Sequence, residues 1–333
     1  MDIPPRRPTG ADVARLAGVN QASVSRVFAG KAAGRVSPEI EERIRQAADR
    51  LGYHPHVSAR SLRSGRTNAL GLVVTDFENP FFGALSRGAQ REALARGRSI
   101  VLMEADYDGE RFLPYQALES GLVDGLLLFG IEPPPRTGAA TGQVTLIESE
   151  QEGYGSAVFD NALGMSRAVD HLAGLGHRRI GYLGATIDRW AFRRRRTDWL
   201  DAMARLPGSA PVEAAAPLDL TVAAAATRRL LSDAQPPTAL ICADDLLAAG
   251  AYRAAAELGV TIPLDLSVMS FGGTIVGDAL WPRLTSVVAS GSSLGAAAVA
   301  VHLADDSQAP THTALDVVLT IRNSTGTLRR PAS

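Results

Sequence analysis

Cysteine, lysine and aromatic side chains are scarce in this 333-residue chain. The single cysteine, Cys242, excludes an internal disulfide and a thiolate metal cluster. Set behind the apolar run Ala239-Leu240-Ile241, it is expected to be a small buried hydrophobe rather than a reactive thiol. No stretch approaches the roughly 18 apolar residues of a membrane-spanning helix. The opening MDIPPRRPTG lacks the apolar core of a secretion signal, so the expected compartment is the cytoplasm, with no membrane partner. Neither a GxSxG nucleophile elbow nor a P-loop occurs. Gly181-Tyr182-Leu183-Gly184 is too weak a glycine pattern to suggest a dinucleotide. His171 and His177 have no metal-ligand spacing around them and read as structural. No enzyme activity, metal or cofactor is expected.

Positive charge comes almost entirely from arginine, Lys31 being the lone lysine, and it is unevenly spread. Residues 1–66 hold 12 basic and 6 acidic side chains; of the chain's 34 and 35, that leaves 22 and 29 for the remainder. The balances are therefore +6 and -7. A basic head on an acidic body points to a polyanionic partner for the head alone. The length implies two or three domains, and 46% hydrophobic with 21% charged residues is ordinary for a folded protein.

The head carries three short amphipathic helices. Thr9 followed by Asp12 fits a capping box, and Val13, Leu16 and Ala17 form one apolar stripe ending at Gly18. Asn20 can cap a second helix whose Val24, Val27 and Phe28 face the core. Ser37-Pro38-Glu39 starts a third, with Ile40, Ile44, Ala47 and Leu51 as its stripe. Two helices joined by a tight turn at Gly18-Val19 form a helix-turn-helix, which places its second helix in the major groove of DNA. On the exposed face of that helix Arg26 can pair with guanine and Gln21 with adenine. Asn20, Ser23 and Ser25 suit phosphate contacts, which position the helix without reading sequence. Taken alone, these residues are equally consistent with an ordinary solvated face.

From Thr9 to Asn68 the chain resembles the lactose-repressor (LacI/GalR) family. The matching residues are Thr9, Asp12-Val13-Ala14, Ala17-Gly18-Val19, Val24-Ser25-Arg26-Val27, Gly30, Val36-Ser37, Leu51-Gly52-Tyr53, Pro55 and Ala59 through Thr67. The resemblance implies that Gln21, Ala22 and Arg26 read bases and that Thr9 and Arg60 belong to the DNA-contacting set. It places Leu62 where the family inserts a leucine into the minor groove, an apolar wedge that kinks the duplex. Such a wedge works from two hinge helices side by side, implying a homodimer on pseudo-palindromic double-stranded operator DNA. Departures from the family pattern are Asn20 for serine, Ala29 for asparagine, and His56 and Ser58 in the hinge. The last two imply a hinge that orders less readily than most.

After Thr67 the texture turns to alternating strands and helices, the pattern of βαβ units and a parallel sheet. Strands are expected at 69–75, 100–104, 125–129, 143–147, 180–183, 239–242 and 267–271, and a loop over 207–217. Resemblance to the family continues at Asn79-Pro80-Phe81-Phe82, Asp160-Asn161, Leu175 through Gly181, Ala243 through Gly250, Leu284 through Val287 and Arg322 through Thr325. The implied fold class is α/β: an all-α helix-turn-helix headpiece followed by a two-lobed effector domain with parallel sheets, similar to periplasmic sugar-binding proteins. Its expected divisions are a headpiece at 1–54, a hinge helix and linker at 55–68, one lobe at 69–159 with about 289–318, and a second at 160–288 with about 319–330.

Ligands of open parallel sheets bind at the carboxyl ends of strands, which here present Asp76, Glu148, Asp244 and the Gly272-Gly273 turn. By the resemblance Glu148 and Asp244 occupy polar ligand-contact positions, and Arg195 reaches the ligand from the second lobe. Phe81 and Phe82 sit where some members stack a ring. Of the run Arg193 to Arg196 one side chain is expected to touch ligand, the others neutralising nearby acids. Trp190 and Trp281 are candidates for the cleft mouth. Gly272 stands where the family has a hydroxyl-binding aspartate, which puts a standard monosaccharide in question, with Asp244 as a partial substitute. The expectation is a transcriptional regulator, a repressor of sugar utilisation released from DNA by a small-molecule effector, most simply a sugar. A co-repressed regulator responding to a purine or another metabolite remains the alternative, with a sugar-acting enzyme or plain binding protein as readings of a different class. No leucine heptad follows Thr325, so a dimer rather than a tetramer is expected.

Overall fold

Thr9 starts the first helix by a reciprocal cap. Its hydroxyl accepts the Asp12 amide at 3.4 Å, and the Asp12 carboxylate accepts the Thr9 amide at 2.9 Å. The computed structural model describes residues 8–28, 32–53, 66–105, 113–133, 144–304 and 310–328. They fall into two units, residues 1–67 and 68–333. In the first, helix α1 (Gly10–Ala17) ends at Gly18, whose φ of 63° is left-handed backbone that glycine adopts without strain. Helix α2 (Gln21–Phe28) is capped by Asn20, which accepts the Ser23 amide at 2.8 Å. Helix α3 (Pro38–Leu51) is capped by Ser37, with Pro38 in its first turn.

The three helices share a core of Val13, Ala14, Ala17, Val24, Val27, Ile44, Ala47 and Ala48. Phe28 and Tyr53 close it edge to face, with ring centroids 5.6 Å apart. Leu16, expected in the stripe of α1, is 49% exposed, and Ala14 is buried instead. The helix is rotated by about one position from the expected stripe, so a small alanine meets its neighbours and the leucine faces outward. Ala29, His56, Ser58, Arg60 and Leu62 lie outside the described residues.

The second unit contains two parallel sheets. β1 (Ala69–Val74), α4 (Pro80–Ala95), β2 (Ser99–Glu104), α5 (Leu113–Glu119), β3 (Gly125–Phe129), β4 (Val144–Ile147) and β5 (Gly155–Phe159) build the first. The chain then crosses to α6 (Asn161–Gly174), β6 (Ile180–Ala185), α7 (Trp190–Ala204), β7 (Val212–Ala216), α8 (Leu220–Leu231) and β8 (Ala239–Cys242). α9 (Asp245–Leu258), β9 (Ser267–Gly272), α10 (Ile275–Ala279) and β10 (Thr285–Val288) follow. It returns through α11 (Gly291–His302) to β11 (His312–Leu315) and crosses again to β12 (Val318–Thr320). The sheet orders are β11-β5-β4-β3-β1-β2 and β12-β10-β9-β8-β6-β7, with only β12 antiparallel to its neighbour. Three crossovers thus join the two sheets.

Central strands β1 and β8 are buried at every position, because helices cover both faces of each sheet. Edge strand β7 alternates between half-buried and exposed positions before ending on a buried alanine. It lies in the stretch expected to be loop: Val212-Glu213-Ala214-Ala215-Ala216 is poor in strand-forming side chains, and pairing with β6 supplies what propensity does not. α4 and α11 meet at backbone distance. A Cβ on Gly88 would lie 1.9 Å from the Ser292 carbonyl, and one on Gly295 would lie 2.1 Å from that of Leu85.

Candidate functional site

Two faces of the chain collect the candidate residues. On α2, Gln21, Ala22 and Arg26 are exposed while Val24 and Val27 anchor the helix from behind. Among the described residues no carboxylate pairs with Arg26. Asn20 and Ser23 are joined to each other, the Ser23 hydroxyl donating to Asn20 Oδ1 at 2.9 Å. Asn20 therefore serves first as the cap that fixes where α2 begins. Ser25 is half-buried beside this face. Thr9 starts α1 instead of lying on α2, and its own hydroxyl donates to Asp12 at 2.6 Å.

The second face is a cavity of about 420 Å³ between the two sheets, within the range of small-molecule sites. Asp76, Phe81, Phe82 and Glu148 line it from the first lobe, and Arg195, Asp244 and Gly272 from the second. At its centre Arg195 crosses to Glu148, Nη2 to Oε2 at 2.9 Å. Arg195 Nε donates to Asn161 Oδ1 at 3.0 Å and Nη1 to the Ala243 carbonyl at 3.1 Å. The other Glu148 oxygen accepts the Phe159 amide at 2.8 Å. The guanidinium lies 4.1 Å from the centroid of Phe271, a cation–π contact. Glu148 itself has φ 52°, a left-handed conformation uncommon for its type, which these bonds hold in place. Burial pushes its carboxyl above the ordinary range, opposed by Arg195 and the Phe159 amide.

The other carboxylates of the wall are partly engaged. Asp244 caps α9 by accepting the Leu246 amide at 2.7 Å, and burial raises its pKa to about 6. Asp76 accepts the Glu78 amide at 2.7 Å. The Thr75 hydroxyl, on the same wall, is buried with no hydrogen-bond partner among the described residues. Phenylalanines supply the apolar part: Phe129 meets Phe82 edge to face at 4.9 Å and Phe81 at 5.7 Å.

Gly272 is explained by its neighbour. Asp245 lies behind it, buried, accepting the Ser270 hydroxyl at 2.5 Å, the Gly273 amide at 3.0 Å and the Thr274 hydroxyl at 2.7 Å. A Cβ on Gly272 would sit 2.8 Å from the Asp245 carboxyl carbon. The wall is therefore backbone at this point, with the acid held behind it.

The description of bacterial regulatory proteins of the lacI family matches residues 11–56, and that of a periplasmic binding protein-like domain matches 169–325. The ribose operon repressor of Halalkalibacterium halodurans is 32% identical over 288 residues, covering 86% of each chain. The chain belongs to the LacI family. The transcriptional repressor PurR of Pectobacterium carotovorum is 30% identical over 303 residues, 88% of each chain. Among solved structures, a lac repressor dimer bound to operator and an anti-inducer has a TM-score of 0.85 over 96% of this chain and 100% of that one, at 24% identity. A complex of the regulator CelR with cellobiose has a TM-score of 0.67 at 25% identity over the same shares. As a member of the LacI family, this chain is a sequence-specific DNA-binding transcriptional regulator. Its described helices include none long and apolar enough to cross a membrane.

Trp281 stands apart from the other candidates: it is 84% exposed and does not line the cavity of this LacI-family chain, and neither does Trp190. Conversely, Arg189, Phe192, Phe129, Phe271 and Asn79 line it without having been singled out as site residues. Phe192 precedes Arg195 by three residues, one face of α7, and Arg189 stands at the cap position just before that helix. Helix α7 starts at Trp190, so Phe192 lies in its first turn. The arginine run divides by the same periodicity. Arg193 pairs with Asp188 and Glu132 and Arg196 with Glu213 on the outer surface, and the half-exposed Arg194 reaches the buried Asp198; Arg195 alone is itself buried.

Proposed function

We propose that this regulator is a cytoplasmic repressor whose hold on a pseudo-palindromic operator is released by a sugar bound in the cavity. The division of labour follows the chain: a headpiece at 1–54, a hinge and linker at 55–68, and two effector lobes joined by three crossovers. The observation that carries the reading is the Glu148–Arg195 pair at 2.9 Å, which ties one lobe to the other through the cavity. A ligand that competes for or adds to these groups interacts differently with open and closed lobes, the requirement for any ligand to shift a conformational equilibrium. Phenylalanine rings beside Asp76, Asp244 and a Thr75 hydroxyl without a partner among the described residues suit a molecule with an apolar face and hydroxyl edges. A sugar is such a molecule.

A homodimer suits the exposed apolar side chains of the second lobe. Ile275, Trp281, Val318 and Ile321 are 70%, 84%, 60% and 59% exposed. Ile275 and Trp281 lie three residues to either side of Asp278, which pairs with both Arg283 and Arg322, the neighbour of Ile321, at 3.1 Å. Sedimentation of a Trp281→Arg variant as monomer would support that surface; an unchanged dimer would move the interface elsewhere.

A thermal-shift screen of sugars and nucleobases, followed by operator binding, tests the effector. The expected result is a sugar that raises Tm and weakens operator binding. The edge-to-face phenylalanines favour a planar nucleobase as the second reading. A nucleobase that raises Tm and tightens operator binding would replace induction by co-repression.

A further inference from the structure

Asp244 and Asp245 stand side by side at the start of α9, and their surroundings treat them differently. Asp245 is buried and accepts four hydrogen bonds at 2.5 to 3.0 Å, from the Ser270 hydroxyl, the Gly273 and Thr274 amides and the Thr274 hydroxyl. Asp244 accepts one, from the Leu246 amide on Oδ1 at 2.7 Å. Its other oxygen, Oδ2, has no partner among the described residues and is not sealed in protein; the residue lines the cavity between the sheets. Because Oδ1 is held on the helix, an asparagine here would turn its Nδ2 donor outward. The aspartate turns out an acceptor.

No cation among the described residues pairs with that acceptor. Arg195 directs its bonds to Glu148, Asn161 and the Ala243 carbonyl, one residue short of Asp244. The other charged groups of the cavity are Asp76 beyond β1, Glu148 beyond β4 and Arg189 before α7, and no histidine lines it. The Cys242 thiol at the end of β8 is pushed up by burial. Of two adjacent acids, the one with a single donor therefore bears the cost of poor hydration and like charge. Burial, with Asp245 adding to it, pushes the pKa of Asp244 up to about 6 against the Leu246 amide and Arg195.

We propose that a proton and the effector compete for Oδ2 of Asp244: the effector docks a hydrogen-bond donor, a hydroxyl or N–H, on the ionised oxygen, and acid displaces it. Asp244 is thus a specificity-determining contact that demands a donor at this point of the wall. Protonation gives it the outward polarity of an asparagine. The assignment rests on the reading that the cavity holds an effector. Binding favours the ionised form and so lowers the pKa of Asp244; affinity is full above about pH 6 and falls as pH drops through that value.

The full-length chain is titrated calorimetrically with D-ribose, D-glucose, cellobiose and uracil at about pH 7.5 and about pH 5, between which none of the four changes charge. The expected result is a binder whose affinity falls about tenfold at the lower pH, with about one proton released there on binding, read from buffers of different ionisation enthalpy. Asp244→Asn, which keeps the capping oxygen, is expected to bind the same compound at the weaker affinity at both pH values. An affinity equal at both values in the parent overturns the competition. A fall that persists in Asp244→Asn assigns the titration to Glu148 or Asp76 and overturns it as well. Either result leaves the sugar reading in place when the binder is a sugar. Should Asp244→Asn fold poorly, the aspartate carboxyl ¹³C signals of the parent decide. One signal that titrates near pH 6 and moves to lower pH on adding the binder is expected; a set in which none moves overturns the competition. Uracil binding with proton release supports the competition and replaces the sugar. A panel without a binder overturns the reading of the cavity and the competition together.

Discussion

Arg195 and Glu148 meet at 2.9 Å between two sheets that share no strand, and both are buried. Removing one partner strands a charge in a poorly hydrated site, which costs about 3–5 kcal/mol, whereas replacing both with apolar groups of similar size is often near neutral. Arg195→Met is therefore expected to lower stability by about that amount in urea denaturation, and Glu148→Met/Arg195→Met to recover most of it. Equal losses in the single and double variants would show that the arginine matters for its bonds to Asn161 and Ala243 rather than for the pair.

Asp244 makes a pH-dependent contribution of unusual sign. Its pKa is about 6 in the folded chain against an ordinary 3.8, so the folded state holds this proton more tightly than the unfolded state does. Stability from this group is present below pH 3.8, falls as pH rises through the window to about 6, and is flat above it. Asp244→Asn, which keeps a side chain able to cap α9, removes the penalty. It is expected to stabilise the protein at pH 7 by up to about 3 kcal/mol and by progressively less towards pH 4. Chemical denaturation of both proteins across that range checks it; a difference independent of pH would mean Asp244 keeps its ordinary pKa.

The parallel architecture was legible because buried parallel strands are continuous apolar runs, as at Ala69–Val74 and Ala239–Cys242. β7 was not, since an alanine-rich edge strand is defined by its neighbour and not by its own side chains. Asp76, Glu148, Asp244 and Arg195 were found through strand ends and family resemblance, and they converge on one cavity. Phe129 and Phe271 belong to strand ends that the sequence also marked, but an apolar residue there reads as core until the cavity beside it is known. Trp281 misled for the opposite reason: a large aromatic near the cleft sequence is fully compatible with an outer surface.

Gly272 is expected to reject any side chain while Asp245 stays in place. Gly272→Asp would restore the hydroxyl-binding acid found in relatives by resemblance, yet its Cβ would press on the Asp245 carboxyl carbon from 2.8 Å. Overpacking of this kind costs about 1–3 kcal/mol. Gly272→Ala carries the same contact without a second charge, so it isolates the steric part in a thermal melt. A Gly272→Ala protein as stable as the parent would show that Asp245 moves aside freely, and would reopen this wall to an acid.

Arg26 offers a clean separation of reading from sensing. It is exposed on α2, and the buried side chains that hold this helix, Val24 and Val27, are not its contacts with water. Loss of a bidentate arginine–guanine contact costs about 1–3 kcal/mol of discrimination. Arg26→Ala is therefore expected to weaken binding to the preferred operator by roughly five- to a hundredfold, while nonspecific binding falls less and remains steeply salt-dependent. The unfolding of residues 68–333 and its shift on adding the proposed effector are expected to stay as in the parent, because Arg26 and the cavity belong to separate units. Fluorescence anisotropy on operator and scrambled duplexes, with thermal melts of the same samples, measures all four quantities. A parallel fall in operator binding and in effector-induced stabilisation would show that Arg26 supports folding, and the base-reading role would then pass to Gln21 and Ala22.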